Sequence, residues 1–215
     1  PRGATAQIAC EPGTYNPARA RKTENDCLLS EAGQYVSTSG ASTTTGYCDP
    51  GHYCPPGSIS ATERKCPVGT YRSVAGGRSA KDCGTCQSGK KCDAEGMTTP
   101  SDCPQGYYCT VGTIEEEPCP VGTYGSRSNL KDSRECSPCP IGRYCWQRGL
   151  TSVAANAPGT GYCDSGYYCM EASRVPTPTD GVTGSQCPAG SYCVTGTGAL
   201  SAGPASCTAG TFNAF

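Results

Sequence analysis

The sequence predicts a small disulfide-rich fold: an elongated tandem array of short β-hairpin modules, with little helix and no single large core. Composition is the first reason. The 215 residues include 19 Cys, 29 Gly and 18 Pro, but only 2 Phe, 1 Trp and 2 Met, and such a cysteine content is typical of chains that disulfides hold together. The second reason is repetition, because two short cysteine motifs recur along most of the chain.

The first motif is C-x-x-G-T followed by Tyr or Phe. It occurs at 10–15, 66–71, 119–124 and 207–212. In its first three copies the next cysteine lies 17 positions after the first. This step predicts three long-loop disulfides: Cys10–Cys27, Cys66–Cys83 and Cys119–Cys136. Closing a 17-residue loop should stabilise the fold by about 3 kcal/mol in the chain-entropy description.

The second motif is C-x-x-G-x-x-C, which favours local disulfides. The pairs would be Cys48–Cys54, Cys86–Cys92, Cys103–Cys109, Cys139–Cys145, Cys163–Cys169 and Cys187–Cys193. The parity of the cysteine count supports these pairs. Ser30 and Val36 replace both cysteines of one motif, and this leaves no unpaired cysteine if the two normally bond to each other. A crossed arrangement, first to third and second to fourth among the last four cysteines of a repeat, is the alternative.

The order of motifs predicts the domain organisation. A connector at 1–9 precedes repeat 1 (10–65, degenerate at 30–36), repeat 2 (66–118), repeat 3 (119–206, with an extra motif at 187–193) and the start of a truncated repeat 4 (207–215). Cys207 is therefore expected to be unpaired here, with its partner 17 residues further on. A free or intermolecular thiol, including a bond to Cys10 of a neighbouring subunit, is the alternative.

Each motif contains a glycine that predicts a chain reversal, because glycine accepts a positive φ without a Cβ clash. These turn glycines are Gly13, Gly51, Gly69, Gly106, Gly122, Gly142, Gly166, Gly190 and Gly210. The aromatic residue that follows is expected to pack over a disulfide in place of an aliphatic core. These aromatic residues are Tyr15, Tyr53, Tyr71, Tyr108, Tyr124, Tyr144, Tyr168, Tyr192 and Phe212. A sugar-binding face is the alternative role for them.

Cysteines at this density indicate an oxidising compartment, so we expect an exported chain whose leader lies outside this sequence. Metal binding is disfavoured, since C-x-x-C spacing occurs only at Cys83–Cys86 and Cys136–Cys139 and His52 is the single histidine. The sequences "CGTC" and "CSPC" have the spacing of redox-active dithiols, but the βαβ context of such dithiols is absent. The run Glu115–Glu117 lacks the alternating oxygen ligands of a Ca²⁺ loop and is expected to be a solvated turn.

Other function classes are also disfavoured. The net charge of −1 with mixed signs gives no basis for nucleic-acid binding, and no apolar run approaches the ~20 residues of a membrane span, so we expect no direct membrane insertion of this segment. With one histidine a Ser–His or Cys–His pair has no support. We expect no enzyme activity and no cofactor.

Glycosylation is a candidate modification. No N-x-S/T sequon is present, but Ser, Thr and Pro are enriched at 37–46, 98–100 and 175–180, as in segments that carry O-linked sugars. The candidate acceptors are Ser37, Thr38, Ser39, Ser42, Thr43, Thr44, Thr45, Thr98, Thr99, Thr177 and Thr179. A bare flexible connector is the alternative.

The two motifs and the C-x-x-C junction, in this order over 10–212, resemble the ephrin-receptor-like cysteine-rich repeats of large extracellular proteins. They are also similar to the tumour-necrosis-factor-receptor class of cysteine-rich domain. The resemblance implies rods of small disulfide modules, which serve in receptors, surface coats and hair-like filaments. The degenerate motif at 30–36 and the extra one at 187–193 depart from a strict period.

The functional expectation is a structural segment of a long secreted repeat protein that forms an extracellular filament or surface coat, such as a flagellar-hair-like fibre. Its partners would be copies of itself and O-linked glycans, at the cell or flagellar surface. The alternative is the ligand-binding ectodomain of a receptor or adhesin. Basic residues of the long loops would then serve binding, for example of acidic glycans, and plain solvated loop charges are the alternative for them: Arg19, Arg21, Arg72, Arg78, Arg127 and Lys131.

Overall fold

A computed structural model describes residues 8–18, 26–154, 157–198 and 204–206. These residues form 20 short strands that pair as ten two-stranded sheets. Each registered pair is an antiparallel hairpin. Two short 3-10 turns, Ala80–Asp82 and Ser133–Glu135, are the longest helical pieces that the described residues contain. The expected fold class, small disulfide-rich hairpin modules, is confirmed.

The hairpins are numbered along the chain. Hairpins 1 to 5 pair β1 (Thr14–Tyr15) with β2 (Leu28–Leu29), β3 (Gln34–Tyr35) with β4 (Gly46–Tyr47), β5 (His52–Tyr53) with β6 (Arg64–Lys65), β7 (Thr70–Tyr71) with β8 (Gly84–Thr85), and β9 (Lys90–Lys91) with β10 (Ser101–Asp102). Hairpins 6 to 10 pair β11 (Tyr107–Tyr108) with β12 (Glu117–Pro118), β13 (Thr123–Tyr124) with β14 (Ser137–Pro138), β15 (Arg143–Cys145) with β16 (Thr160–Tyr162), β17 (Tyr167–Cys169) with β18 (Gly184–Gln186), and β19 (Ser191–Tyr192) with β20 (Ala205–Ser206).

The chain divides into two compact units. The N-terminal unit comprises Pro1–Gln87, Lys91–Ser101 and Gly112–Ile114, and the C-terminal unit comprises Ser88–Lys90, Asp102–Val111 and Glu115–Phe215. Hairpins 1 to 4 belong to the first unit and hairpins 6 to 10 to the second.

One hairpin corresponds to each C-x-x-G motif, so the structural period is finer than the repeats predicted from cysteine order. The first strand follows the motif glycine directly, and the second ends immediately before the next motif. Successive motifs begin 16 residues apart at Cys103 and Cys119 and 24 apart at Cys139 and Cys163. The degenerate motif that starts at Ser30 forms hairpin 2 like the others, so this local structure does not require the two cysteines.

Nine disulfides stabilise these hairpins. Three close long loops of separation 17, namely Cys10–Cys27, Cys66–Cys83 and Cys119–Cys136. Six close short loops of separation 6, namely Cys48–Cys54, Cys86–Cys92, Cys103–Cys109, Cys139–Cys145, Cys163–Cys169 and Cys187–Cys193. The structure thus joins the same cysteines that spacing and parity favour, without the crossed arrangement. Cys207 lies outside the described residues.

The core is a series of small clusters built on disulfides. Tyr108 packs against Cys119, Cys136 and Leu130. One hairpin further on, Tyr124 packs against a second cluster, which contains Cys139, Cys145 and Leu150. The motif tyrosine of one hairpin therefore covers the disulfide of the next. Most of the buried hydrophobic residues are cysteines, so few large apolar side chains are needed.

Candidate functional site

The feature that recurs most regularly is the junction between consecutive hairpins. Between hairpins 2 and 3, Gly33 N donates to Cys54 O (2.8 Å), Val36 N to Ser58 O (3.0 Å) and Gly57 N to Ser30 O (3.1 Å). The equivalent three backbone hydrogen bonds occur at the junctions of hairpins 1 to 4 in the N-terminal unit and of hairpins 6 to 10 in the C-terminal unit, with lengths of 2.8–3.1 Å. Because backbone groups make these bonds, the junction tolerates variation of the side chains.

At Gly33 the motif glycine is required for two reasons, one of which is a close approach to the hairpin after next. Gly33 has φ +90°, and a Cβ built on it would lie 2.7 Å from Gly76 O, a carbonyl of hairpin 4. It therefore needs a left-handed backbone and also the absence of a side chain. The predicted turn glycines at 13, 51, 69, 106, 122, 142, 166 and 190 have φ between 78° and 86°. Gly210 lies outside the described residues.

A second positive-φ position was not found from the sequence. Its backbone N–H donates to the carbonyl at the start of the preceding hairpin, as Gly40 does to Cys10 O at 2.8 Å. Glycine fills it in most hairpins, but hairpin 7 has Asn129 (φ 65°) and hairpin 9 has Ala172 (φ 61°). These two are the non-glycine residues with positive φ in the described chain. The available signal was a glycine 9 or 10 residues after the motif start, as at Gly57 and Gly40.

The predicted glycan acceptors lie mostly at the surface. The residues 37–46 connect or flank the strands of hairpin 2, and their acceptors are exposed except for the half-buried Thr44. Thr45 Oγ1 accepts a hydrogen bond from Ser37 N (3.0 Å), so this connector has some internal structure. Thr98, Thr99, Thr177 and Thr179 are also exposed.

The basic residues proposed for binding differ in their contacts and exposure. The Arg72 guanidinium donates to Asp82 O (2.7 Å) and Ala75 O (3.2 Å), so it is engaged by its own loop. Arg78, Arg127 and Lys131 are exposed. Arg19 and Arg21 lie outside the described residues.

Neither C-x-x-C pair is a dithiol, because its two cysteines belong to different disulfides. Cys83 bonds to Cys66 and Cys86 bonds to Cys92. Cys136 and Cys139 likewise bond to separate partners, Cys119 and Cys145. The His52 Nδ1 lies 3.1 Å from Pro50 O. Among the residues that the structure describes, His, Cys, Asp and Glu form no cluster of three that could hold a metal ion.

In the acidic run, the Glu117 carboxylate has a defined role. It accepts a hydrogen bond of 2.5 Å from the Tyr108 hydroxyl, and this bond raises the pKa of Tyr108. Glu117 also lies opposite Tyr108 in the register of hairpin 6. The carboxylate therefore supports strand pairing.

A groove of about 570 Å³ opens in the N-terminal unit and is called the Tyr47 groove below. It is lined by Glu31, Ala32, Gly33, Gln34, Tyr47, Ala75, Gly76 and Arg78. Hairpin 2 supplies one wall, and the loop between β7 and β8 supplies the other. Asp82 fixes that loop by accepting from Arg78 N (2.7 Å) and Ser79 N (3.2 Å). The bond from Arg78 N is the main cause of the lowered pKa of Asp82.

Comparison with protein-family models gives no match for the chain, and no curated protein matches it. A search for helices long and apolar enough to cross a membrane finds none in the described residues. The disulfide content is compatible with an extracellular or secreted protein.

Proposed function

We propose that this chain is a structural segment of a secreted tandem-repeat protein that builds an extracellular filament or surface coat, such as a flagellar-hair-like fibre. One observation carries the proposal: the same three backbone bonds recur at successive hairpin junctions in each unit. Modules that bind mainly to their neighbours favour a quasi-one-dimensional assembly. The resemblance of the motifs to ephrin-receptor-like repeats supports the same class of protein.

In this proposal the function is mechanical. A disulfide between residues six positions apart, such as Cys48–Cys54, keeps the enclosed turn from extending under load. A long-loop bond such as Cys66–Cys83 encloses the first strand of hairpin 4 and the loop after it. Pulling would therefore act on the junction hydrogen bonds, whose loss releases only the residues outside the covalent loops.

The proposed partners are copies of this protein and O-linked glycans on its exposed Ser and Thr residues. Contacts between copies would be heterologous, since a repeated head-to-tail contact generates an open filament. The protein would act without catalysis or a cofactor, at the cell or flagellar surface.

Electron microscopy of the native protein, isolated from its source without reduction, tests the proposal. We expect continuous fibres with a regular axial repeat that are lost after treatment with a thiol reductant. Short dispersed rods in the unreduced sample would refute the filament and favour the alternative.

The alternative is a ligand-binding ectodomain of a receptor or adhesin. One observation favours it, namely the exposed Arg78 in the wall of the Tyr47 groove. A pull-down with soluble proteins and glycans from the native surface distinguishes the two. Capture of a defined ligand by dispersed rods would support the receptor.

A further inference from the structure

The Tyr47 groove combines an exposed aromatic ring with side chains that donate and side chains that accept hydrogen bonds. The Tyr47 side chain is 66% exposed. One edge of its ring lies beside Gly76, where a built Cβ would be 3.5 Å from Tyr47 Cδ1. The absence of a side chain at Gly76 leaves the space beside the ring open. The groove therefore presents a flat apolar surface that solvent, or a ligand, can reach.

The equivalent tyrosine of hairpin 8 is arranged differently. Tyr162, like Tyr47, is the last residue of the second strand and lies beside a glycine, Gly196. Its ring, however, is covered by the Arg143 guanidinium, 4.1 Å from the ring centroid. Arg143 also donates to the Tyr162 hydroxyl at 2.6 Å. Arg143 thus occupies one face of the Tyr162 ring, and Tyr162 is 48% exposed against 66% for Tyr47.

Polar groups surround the Tyr47 ring. Gln34 faces Tyr47 across the strand pair, and the Arg78 stem lies over Gly33, with Arg78 Cγ 3.2 Å from a Cβ built there. Glu31 completes the lining. Among the described residues, no ion pair or side-chain hydrogen bond engages the Glu31 carboxylate or the Arg78 guanidinium. As far as the described residues go, their acceptors and donors are therefore open to a ligand, although Arg78 also contributes to the lowered pKa of Asp82.

The chemistry of this lining selects a ligand class. A carboxylate accepts hydrogen bonds from hydroxyl groups, a guanidinium donates to oxygen, and an amide does both. A pyranose ring offers an apolar C–H face to stack on the tyrosine and hydroxyl groups at its edges. Glu31 and Arg78 leave the lining with no net charge, so the groove offers no surplus cation to an acidic sugar, and the Glu31 carboxylate would repel the acid group of such a sugar. A neutral sugar fits both requirements.

We propose that the Tyr47 groove is a binding site for a neutral hexopyranose unit, with Tyr47 as the stacking platform and Glu31, Gln34 and Arg78 as hydroxyl partners. The sugar has two potential sources: an O-linked glycan on another copy of the protein, or a polysaccharide of the surroundings. The site does not depend on the filament proposal, because a monomeric chain in solution would bind the sugar equally well.

The test is NMR titration of the full 215-residue chain, unreduced and with isotope-labelled tyrosine. The probes are the methyl glycosides of glucose, galactose, mannose and N-acetylglucosamine, with glucuronic acid as the acidic comparison. We expect saturable shifts of the Tyr47 ring signals with at least one neutral glycoside. Tyr47→Ala should weaken binding about tenfold or more, as expected for loss of an anchoring aromatic residue, whereas Tyr47→Phe should retain it.

Tyr162→Ala is the matched control, because it removes a tyrosine at the equivalent position whose ring already carries Arg143 on one face, and it should leave binding unchanged. Mass spectrometry of the disulfides checks that each variant is folded. Absence of saturable binding by every neutral probe would overturn the proposal, as would binding of glucuronic acid alone or equal weakening by both alanine variants. If a glycoside that binds also separates associated native copies, the O-linked glycan is the source. If the copies stay associated, a polysaccharide is the source.

Discussion

Hairpins 2 and 3 are adjacent and have the same backbone, but only hairpin 3 contains a disulfide. Their strands pair in the same register, Gln34 opposite Tyr47 and His52 opposite Lys65. Where hairpin 3 has the bonded Cys48 and Cys54, hairpin 2 has Ser30 and Val36. The disulfide therefore stabilises a conformation that the glycine turn and the junction bonds already define.

Burial shows how hairpin 2 replaces its missing bond. Ser30 and Val36 are both 0% exposed, as are Cys48 and Cys54. Val36 is as fully buried as Cys54, which holds the corresponding motif position, and Ser30 Oγ donates to Ser58 O at 3.4 Å. Packing and junction bonds thus compensate for a short covalent loop, whose closure contributes only about 2 kcal/mol in the chain-entropy description.

The strongest test of this comparison is Gly33→Ala. The variant would force a left-handed alanine and bring its Cβ 2.7 Å from Gly76 O, so we expect hairpin 2 to lose roughly 3 kcal/mol of local stability. Hydrogen exchange of the backbone amides in hairpin 2 measures this loss. Gly40→Ala is the control, because its Cβ would meet only Ala9 Cβ at 3.6 Å, and it should cost about 1 kcal/mol. Equal effects of the two variants would show that close approach at Gly33 is unimportant.

The second test converts hairpin 3 into the type of hairpin 2. The double variant Cys48→Ser, Cys54→Val should keep the strand pairing of His52 with Lys65 and lose at most about 2 kcal/mol of local stability, because packing of the new valine offsets part of the lost bond. Amide exchange in hairpin 3 and the chemical shifts of its strands report the two effects separately. Loss of strand pairing would mean that the disulfide defines the turn, contrary to the comparison.

The third test is the reverse conversion. Ser30→Cys combined with Val36→Cys should form a new disulfide, since the short-loop pairs elsewhere have Cα–Cα distances of 5.8–6.0 Å on an equivalent backbone. The gain in hairpin 2 should be somewhat below 2 kcal/mol, because the packing of Val36 is lost. Peptide mapping under non-reducing conditions verifies the pair. If the new cysteines bond elsewhere or stay reduced, the two backbones are not equivalent.

These comparisons also show what could be predicted from the sequence. The disulfide partners follow from spacing and parity, because both cysteines of a bond lie close together in one hairpin. The turn glycines follow from the same short motif. The junctions were not predictable in this way, since they join residues of different hairpins, such as Gly33 and Cys54.

The residues proposed for binding were likewise not predictable as a group. Tyr47, Gln34 and Arg78 line one groove, but they come from strands and loops that no local pattern relates. Arg72 was predicted as a binding residue together with Arg78 because both are basic residues of one loop. Only the structure shows that Arg72 bonds to Asp82 O and Ala75 O, whereas the Arg78 stem extends over Gly33 into the groove wall.

The smallest expected effect concerns the second glycine position. Ala172 is held at φ 61°, so Ala172→Gly should stabilise hairpin 9 by about 1 kcal/mol through relief of left-handed strain. Asn129→Gly in hairpin 7 is the matched variant and should give no gain, because asparagine tolerates this region and its Oδ1 accepts a hydrogen bond from Cys103 N at 3.1 Å. Amide exchange of Ala172 and Asn129 and their bonded neighbours compares the two. A gain in stability at both positions would mean that backbone strain alone determines the effect of the substitution. A gain at neither would mean that the junction hydrogen bonds already offset the strain of the left-handed residue.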